Sequence, residues 1–108
     1  MNSKTFSTCD ISKGNFLSKI YNMLLMAKYR EKDEEKIKML VPLTYEDSPH
    51  VRLQRVFGYS VSDFAFATLK WLDTPYSNEL YDELIADISE GRRYIIEELI
   101  AGEGYKGF

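Results

Sequence analysis

From Asn78 to Ala101 the apolar residues recur at the spacing of one helical face. Tyr81, Leu84, Ile85 and Ile88 make its first half, and Ile95, Ile96 and Leu99 its second. Positions three and four apart share a face of an α-helix, so such a stripe has to be buried against other apolar surface. Around it a chain of 108 residues makes one domain, without room for a second core. Arg92 falls near the middle of the apolar face. Either the chain bends at Gly91 and makes two helices, or Arg92 is buried with a carboxylate partner; the bend is the less costly, because an unpaired buried guanidinium is heavily penalised. Gly102 is expected to end the helix.

The other segments read as shorter helices. Asn15 can cap a helix from Phe16 to about Arg30, with Phe16, Leu17, Ile20, Tyr21, Leu24 and Ala27 on its apolar face and Met23, Leu25 and Met26 broadening it. Core burial explains that helix most simply; Lys13, Lys19, Lys28 and Arg30 would alternatively suit a lipid surface. Over residues 36–45 two patterns compete. Ile37, Met39, Val41, Leu43 and Tyr45 alternate as in a strand, whereas Asp33, Glu34 and Glu35 make an acidic first turn for a short helix stopped by Pro42. Ser48-Pro49 then opens a helix over Pro49–Phe57 closed by Gly58, and Ser62 caps another over Asp63–Leu72, with Phe64, Ala67, Leu69 and Trp71 buried. The fold class expected is mainly α, a single compact domain of five or six short helices; the runner-up is α+β with a β-hairpin at 36–57. Residues 1–13 are expected to be a flexible lead-in, 14–102 the helical domain and 103–108 a short tail. The core should form between the helix at 16–30 and the one at 78–100, with Trp71 and Phe64 between them.

Charge is distributed unevenly. Residues 1–72 carry eleven Lys/Arg against eight Asp/Glu, and residues 73–108 three against nine, which together give the net −3. The acidic third coincides with the strongest helical pattern, so it is a folded acidic face opposite a buried one. Glu79, Glu83, Asp87, Glu90 and Glu97 mark it. Eight tyrosines add side chains that suit binding surfaces, with a large apolar body and a polar tip.

Motifs for chemistry are wanting. Cys9 is the single cysteine, which excludes an internal disulfide and a cysteine metal site, and it suits a reducing compartment. His50 is the single histidine and lacks the companions of a metal site or a nucleophile-activating pair. Gly102-Glu103-Gly104-Tyr105-Lys106-Gly107 matches the string of a dinucleotide loop, but a helix precedes it and none can follow, so no phosphate cradle is built. Asp87, Ser89 and Glu98 fit three positions of a calcium loop, yet Arg92 stands where that loop needs glycine. Phe16–Ala27 is too short and too polar to span a bilayer and shows no cleavage pattern. No catalytic residue, cofactor or metal is therefore expected, and the default is a soluble cytoplasmic protein that is not an enzyme.

The segment Leu53–Ala65 has helix-turn-helix spacing. The words Gly58-Tyr59-Ser60 and Phe64 within it, followed by Leu69-Lys70 and Thr74-Pro75, resemble the second helix-turn-helix of AraC-type activators. That resemblance implies a DNA-binding regulator using 49–72, with Arg52, Arg55 and Lys70 on phosphates. The chain departs from the pattern at Gln54, where a small residue is wanted, and after Ser60, where the spacing is one residue short. The reading helix would expose Ala65, Phe66 and Thr68, none of which reads base edges, and the net acidity opposes phosphate binding. The reading favoured by the residues is instead a protein that binds another protein as adaptor, regulator or inhibitor, through the acidic face. A third reading has that face imitating nucleic-acid phosphates to block a nucleic-acid enzyme.

Overall fold

The computed structural model describes residues 15–46 and 55–107. The expected flexible lead-in, Cys9, His50, Arg52 and most of the expected helix over Pro49–Phe57 lie outside the described residues. The architecture is mainly helical. α1 spans Phe16–Lys28, α2 Glu34–Lys38 and α3 Leu40–Leu43; β1 is Arg55–Val56 and β2 is Tyr59–Ser60; α4 spans Val61–Leu72, α5 Pro75–Ile85 and α6 Glu90–Gly102, and a 3₁₀ turn covers Gly104–Gly107.

α1 starts where Asn15 Oδ1 accepts the Ser18 N–H at 3.0 Å. It ends in a Schellman arrangement: Arg30 adopts φ 55°, and the Glu31 N–H donates back to the Met26 carbonyl at 3.0 Å. Its buried residues are Ile20, Met23, Met26 and Ala27. Leu17 and Tyr21, expected on the buried face, are 56% and 54% exposed. The apolar stripe is wider than the contact it makes, and the core takes its Met23 side. Two of the four cations of the lipid-surface alternative are engaged within the fold: Lys19 Nζ pairs with Glu46 at 2.6 Å, and Arg30 donates to the Trp71 carbonyl at 3.1 Å.

Residues 34–43 are helical, which removes the hairpin at 36–57. Asp33 caps α2 through the Glu35 N–H, and Ile37, Leu40 and Leu43 are buried at helical spacing while Tyr45 is 70% exposed. Pro42 sits within the single turn of α3, where its missing N–H has no intrahelical partner to lose. A much smaller hairpin does exist. β1 and β2 pair antiparallel, Arg55 with Ser60 and Val56 with Tyr59. Phe57 (φ 56°) and Gly58 (φ 89°) form the two-residue turn between them. Gly58 therefore turns a hairpin where a helix stop was expected, because two successive positive φ values suit a primed β-turn.

Ser60 ends β2 and at once caps α4. Its Oγ accepts the Asp63 N–H at 3.2 Å, and Asp63 Oδ2 accepts the Ser60 N–H at 3.0 Å. This reciprocal capping box starts the helix two residues earlier than the expected cap, Ser62. Every residue of α4 except Lys70 is buried, and α1, α3, α5 and α6 all pack on it. The core thus centres on α4, which lies between α1 and the 78–100 segment and packs on both. Phe66 meets Tyr81 of α5 edge-on, centroids 6.0 Å apart. Asp73, at φ 51°, ends α4; Thr74 then caps α5 with Pro75 in its first turn.

The long periodic segment is two helices, broken over 86–89 and restarted by Ser89, whose Oγ accepts the Arg92 N–H at 3.4 Å. Gly91 lies inside α6, so the break precedes the expected bend. Beyond α6 the chain does not trail away. The 3₁₀ turn buries Tyr105, whose ring lies 5.1 Å from that of Trp71.

Candidate partner-binding surface

The segment carrying the acidic face is held by its two arginines. Arg93 donates from Nε to the Ile88 carbonyl at 2.9 Å and from Nη2 to the Ala86 carbonyl at 3.0 Å. These carbonyls lie in the break after α5, where a cation also meets the negative end of the helix dipole. Arg92 donates from Nη2 to Asp63 Oδ1 at 2.8 Å and to Ser62 Oγ at 3.0 Å. Ser62 in turn donates to the Thr44 carbonyl at 2.7 Å. The conflict at Arg92 thus resolves both ways at once: the helix breaks, and the guanidinium also has a carboxylate, on α4.

Glu79 and Glu83 stand one turn apart on α5, Asp87 lies in the break, and Glu90 and Glu97 are on α6; all five are exposed. Glu90 and Glu97 line one shallow hollow with Arg93 and Tyr94, and Tyr94 is 71% exposed. Around Tyr81 the two helices act together. Its hydroxyl is held above the ordinary tyrosine value, first by burial, then by the negative charge of Glu97 on α6, with Asp82 on α5 adding to it and Arg93 opposing. Lys70 places its Nζ 5.1 Å from the centroid of the same ring.

The other set of expected contacts is Arg52, Arg55 and Lys70. Arg52 lies outside the described residues, Arg55 begins β1, and Lys70 is turned to Tyr81. Ala65, Phe66 and Thr68, expected on the open side of a reading helix, are buried to 0%, 1% and 0% exposure. A helix enters a major groove by a free face, and α4 has none to offer.

Sequence reasoning missed a second feature, beside the end of α6. Between α1, the hairpin, α4 and the end of α6 lies an apolar cavity of about 200 Å³, walled by Leu24, Val56, Phe57, Phe64 and Leu99. Glu98 stands at its edge and accepts the Tyr59 hydroxyl at 2.7 Å. That hydrogen bond, followed by burial and by the charges of Glu98 and Asp63, holds the Tyr59 hydroxyl above its ordinary value. The one signal in the sequence was Val56-Phe57-Gly58-Tyr59, which reads equally as a tight turn between two strand-forming residues. Glu98 stood out only as a position of the rejected calcium loop, and its link to Tyr59 carried no signal, since that depends on how α6 packs.

Among the described residues no group of three or more His, Cys, Asp and Glu side chains is placed to hold a metal ion. None of their helices is long and apolar enough to cross a membrane. Compared with protein-family models, with curated proteins and with solved structures, the chain matches none.

Proposed function

We propose that this is a small intracellular protein that acts by binding another protein, as an adaptor, regulator or inhibitor, through the acidic face of α5 and α6. One observation carries it: Glu79, Glu83, Asp87, Glu90 and Glu97 are all exposed, while Arg92 and Arg93 direct their guanidiniums to acceptors within the chain. Such a face presents a mainly negative field on a helical support, which would speed and orient encounter with a basic partner. The reading is of a binding protein and not of an enzyme. Duplex recognition by residues 49–72 is not carried forward, because the helix that would read the bases is in the core.

The test is affinity capture from the native host, with and without nuclease, using the natural chain and the triple variant E79K/E83K/E90K. The natural chain is expected to retain a protein partner that survives nuclease and is released at raised salt. The variant is expected to keep its helical circular dichroism and lose that partner. Equal retention by both would overturn the proposal, and retention abolished by nuclease would favour a nucleic-acid assembly instead.

A further inference from the structure

The apolar cavity beside α6 has a lip with no evident use within the fold. Phe57 is 92% exposed and sits at φ 56°. A bulky residue rarely takes that conformation, and in a two-residue primed turn this position favours Asn, Asp or Gly. Strain of this kind clusters where a surface recognises something. The cavity, about 200 Å³, is smaller than the roughly 300–1,000 Å³ usual for a small-molecule pocket, and suits one inserted side chain. On α1 the strip leading to it continues from Leu24 through Tyr21 to Leu17, the two residues that the core leaves exposed.

The charge around it selects the occupant. Glu98 is exposed at the mouth, and Glu97 precedes it on α6, about 100° around the helix, in the hollow formed with Glu90 and Tyr94. An apolar side chain seated in the cavity would bring a neighbouring residue within reach of the Glu98 carboxylate at its edge. We infer that the cavity is the anchor socket of the acidic face: it takes one aromatic or branched apolar side chain from a basic peptide segment, whose adjacent Lys or Arg meets Glu98. The inference rests on the acidic-face reading and adds to it the chemistry of the segment bound.

A library of random twelve-residue peptides displayed on phage, panned against the full-length chain, tests it. Enriched peptides are expected to pair a Phe, Trp, Leu or Ile with Lys or Arg within one turn. Synthesised, they should bind the natural chain at least tenfold more tightly than F57N, and several-fold more tightly than E98Q. F57N places in the turn a residue that suits it, and E98Q keeps an acceptor for Tyr59, so both variants should remain folded by circular dichroism. Basic peptides that need no apolar residue and bind F57N undiminished would leave the acidic-face reading standing and sink the socket. Apolar peptides without basic residues, or no enrichment at all, would overturn both. A full-length chain that is dimeric by light scattering and becomes monomeric in F57N would make a second copy the occupant and overturn the inference.

Discussion

Arg92 of α6 reaches across the core to Asp63 of α4, Nη2 to Oδ1 at 2.8 Å, and that carboxylate also closes the capping box with Ser60. One anion, 3% exposed, therefore serves the hairpin's last residue, the start of α4 and the outer helix. Removing one member of a buried pair typically costs about 3–5 kcal/mol, because the remaining charge loses its counterpart. Asp63→Ala is expected to fall at or below the lower end of that range, because the Arg92 side chain is 25% exposed, and Arg92→Met added to it should restore part of the loss. Urea unfolding of the two single variants and the double variant measures the coupling; strictly additive effects would show that the two side chains do not support each other.

The hairpin turn makes a prediction of opposite signs at neighbouring positions. Phe57→Asn should raise stability by about 1 kcal/mol, since a left-handed backbone costs a bulky L-residue about that much. Gly58→Ala should lower it by a similar amount: no atom lies within 4 Å of the added methyl, but the φ of 89° is strained for any side chain. Thermal unfolding of both variants reads the two signs.

Tyr59 ties stability to alkaline pH. Its hydroxyl is held above the ordinary value, chiefly by the hydrogen bond to Glu98. The folded chain thus holds this proton more tightly than the unfolded chain does. The resulting stability is full below the unfolded tyrosine value of about 10 and is lost as pH rises from there through the folded value. Tyr81 acts in the same direction, with burial as the leading cause. Unfolding free energy should decline above pH about 10, and Tyr59→Phe should show a shallower decline from a lower starting point. An unchanged slope in that variant would assign the decline to other groups.

Arg93 should matter by its shape. Its fork reaches two carbonyls, Ala86 and Ile88, that a lysine ammonium cannot match in geometry. Arg93→Ala and Arg93→Lys are both expected to lose about 1–2 kcal/mol, because a charged donor to each carbonyl is removed or misplaced. Recovery of full stability in the lysine variant, measured by urea unfolding, would reduce Arg93 to a point charge.

What was legible in the sequence was whatever depends on local chemistry. Asn15, Asp33 and Thr74-Pro75 cap or open their helices as their types allow, and the five carboxylates opposite the apolar stripe are exposed. Features that depend on which surface meets which were not legible. Ala65, Phe66 and Thr68 are polar-neutral or apolar residues whose burial on every side follows from four helices converging on α4, not from a stripe of their own. Leu17 and Tyr21 share a period with Ile20 and Leu24, and nothing in that period says which edge of a broad stripe the core will leave exposed. Arg92 gave away that the segment divides, but not that the break lies at 86–89 rather than at Gly91, because Leu84, Ile85 and Ile88 carry the apolar repeat into it; capping by Ser89 and the grip of Arg93 decide its place.

The chain's single tryptophan occupies a junction. Trp71 donates from its indole N–H to the Ile100 carbonyl at 3.0 Å, its own carbonyl accepts from Arg30, and its ring lies against Tyr105. Those contacts join the end of α6 to α1, and Gly102 and Gly104 beside them also border the apolar cavity. Its fluorescence is therefore a built-in optical reporter for one end of the molecule. A ligand that pushes into the cavity is expected to shift that emission through Gly102 and Gly104, and one that settles on the carboxylates of α5 to leave it unchanged, so a single unlabelled spectrum would separate the two modes of contact.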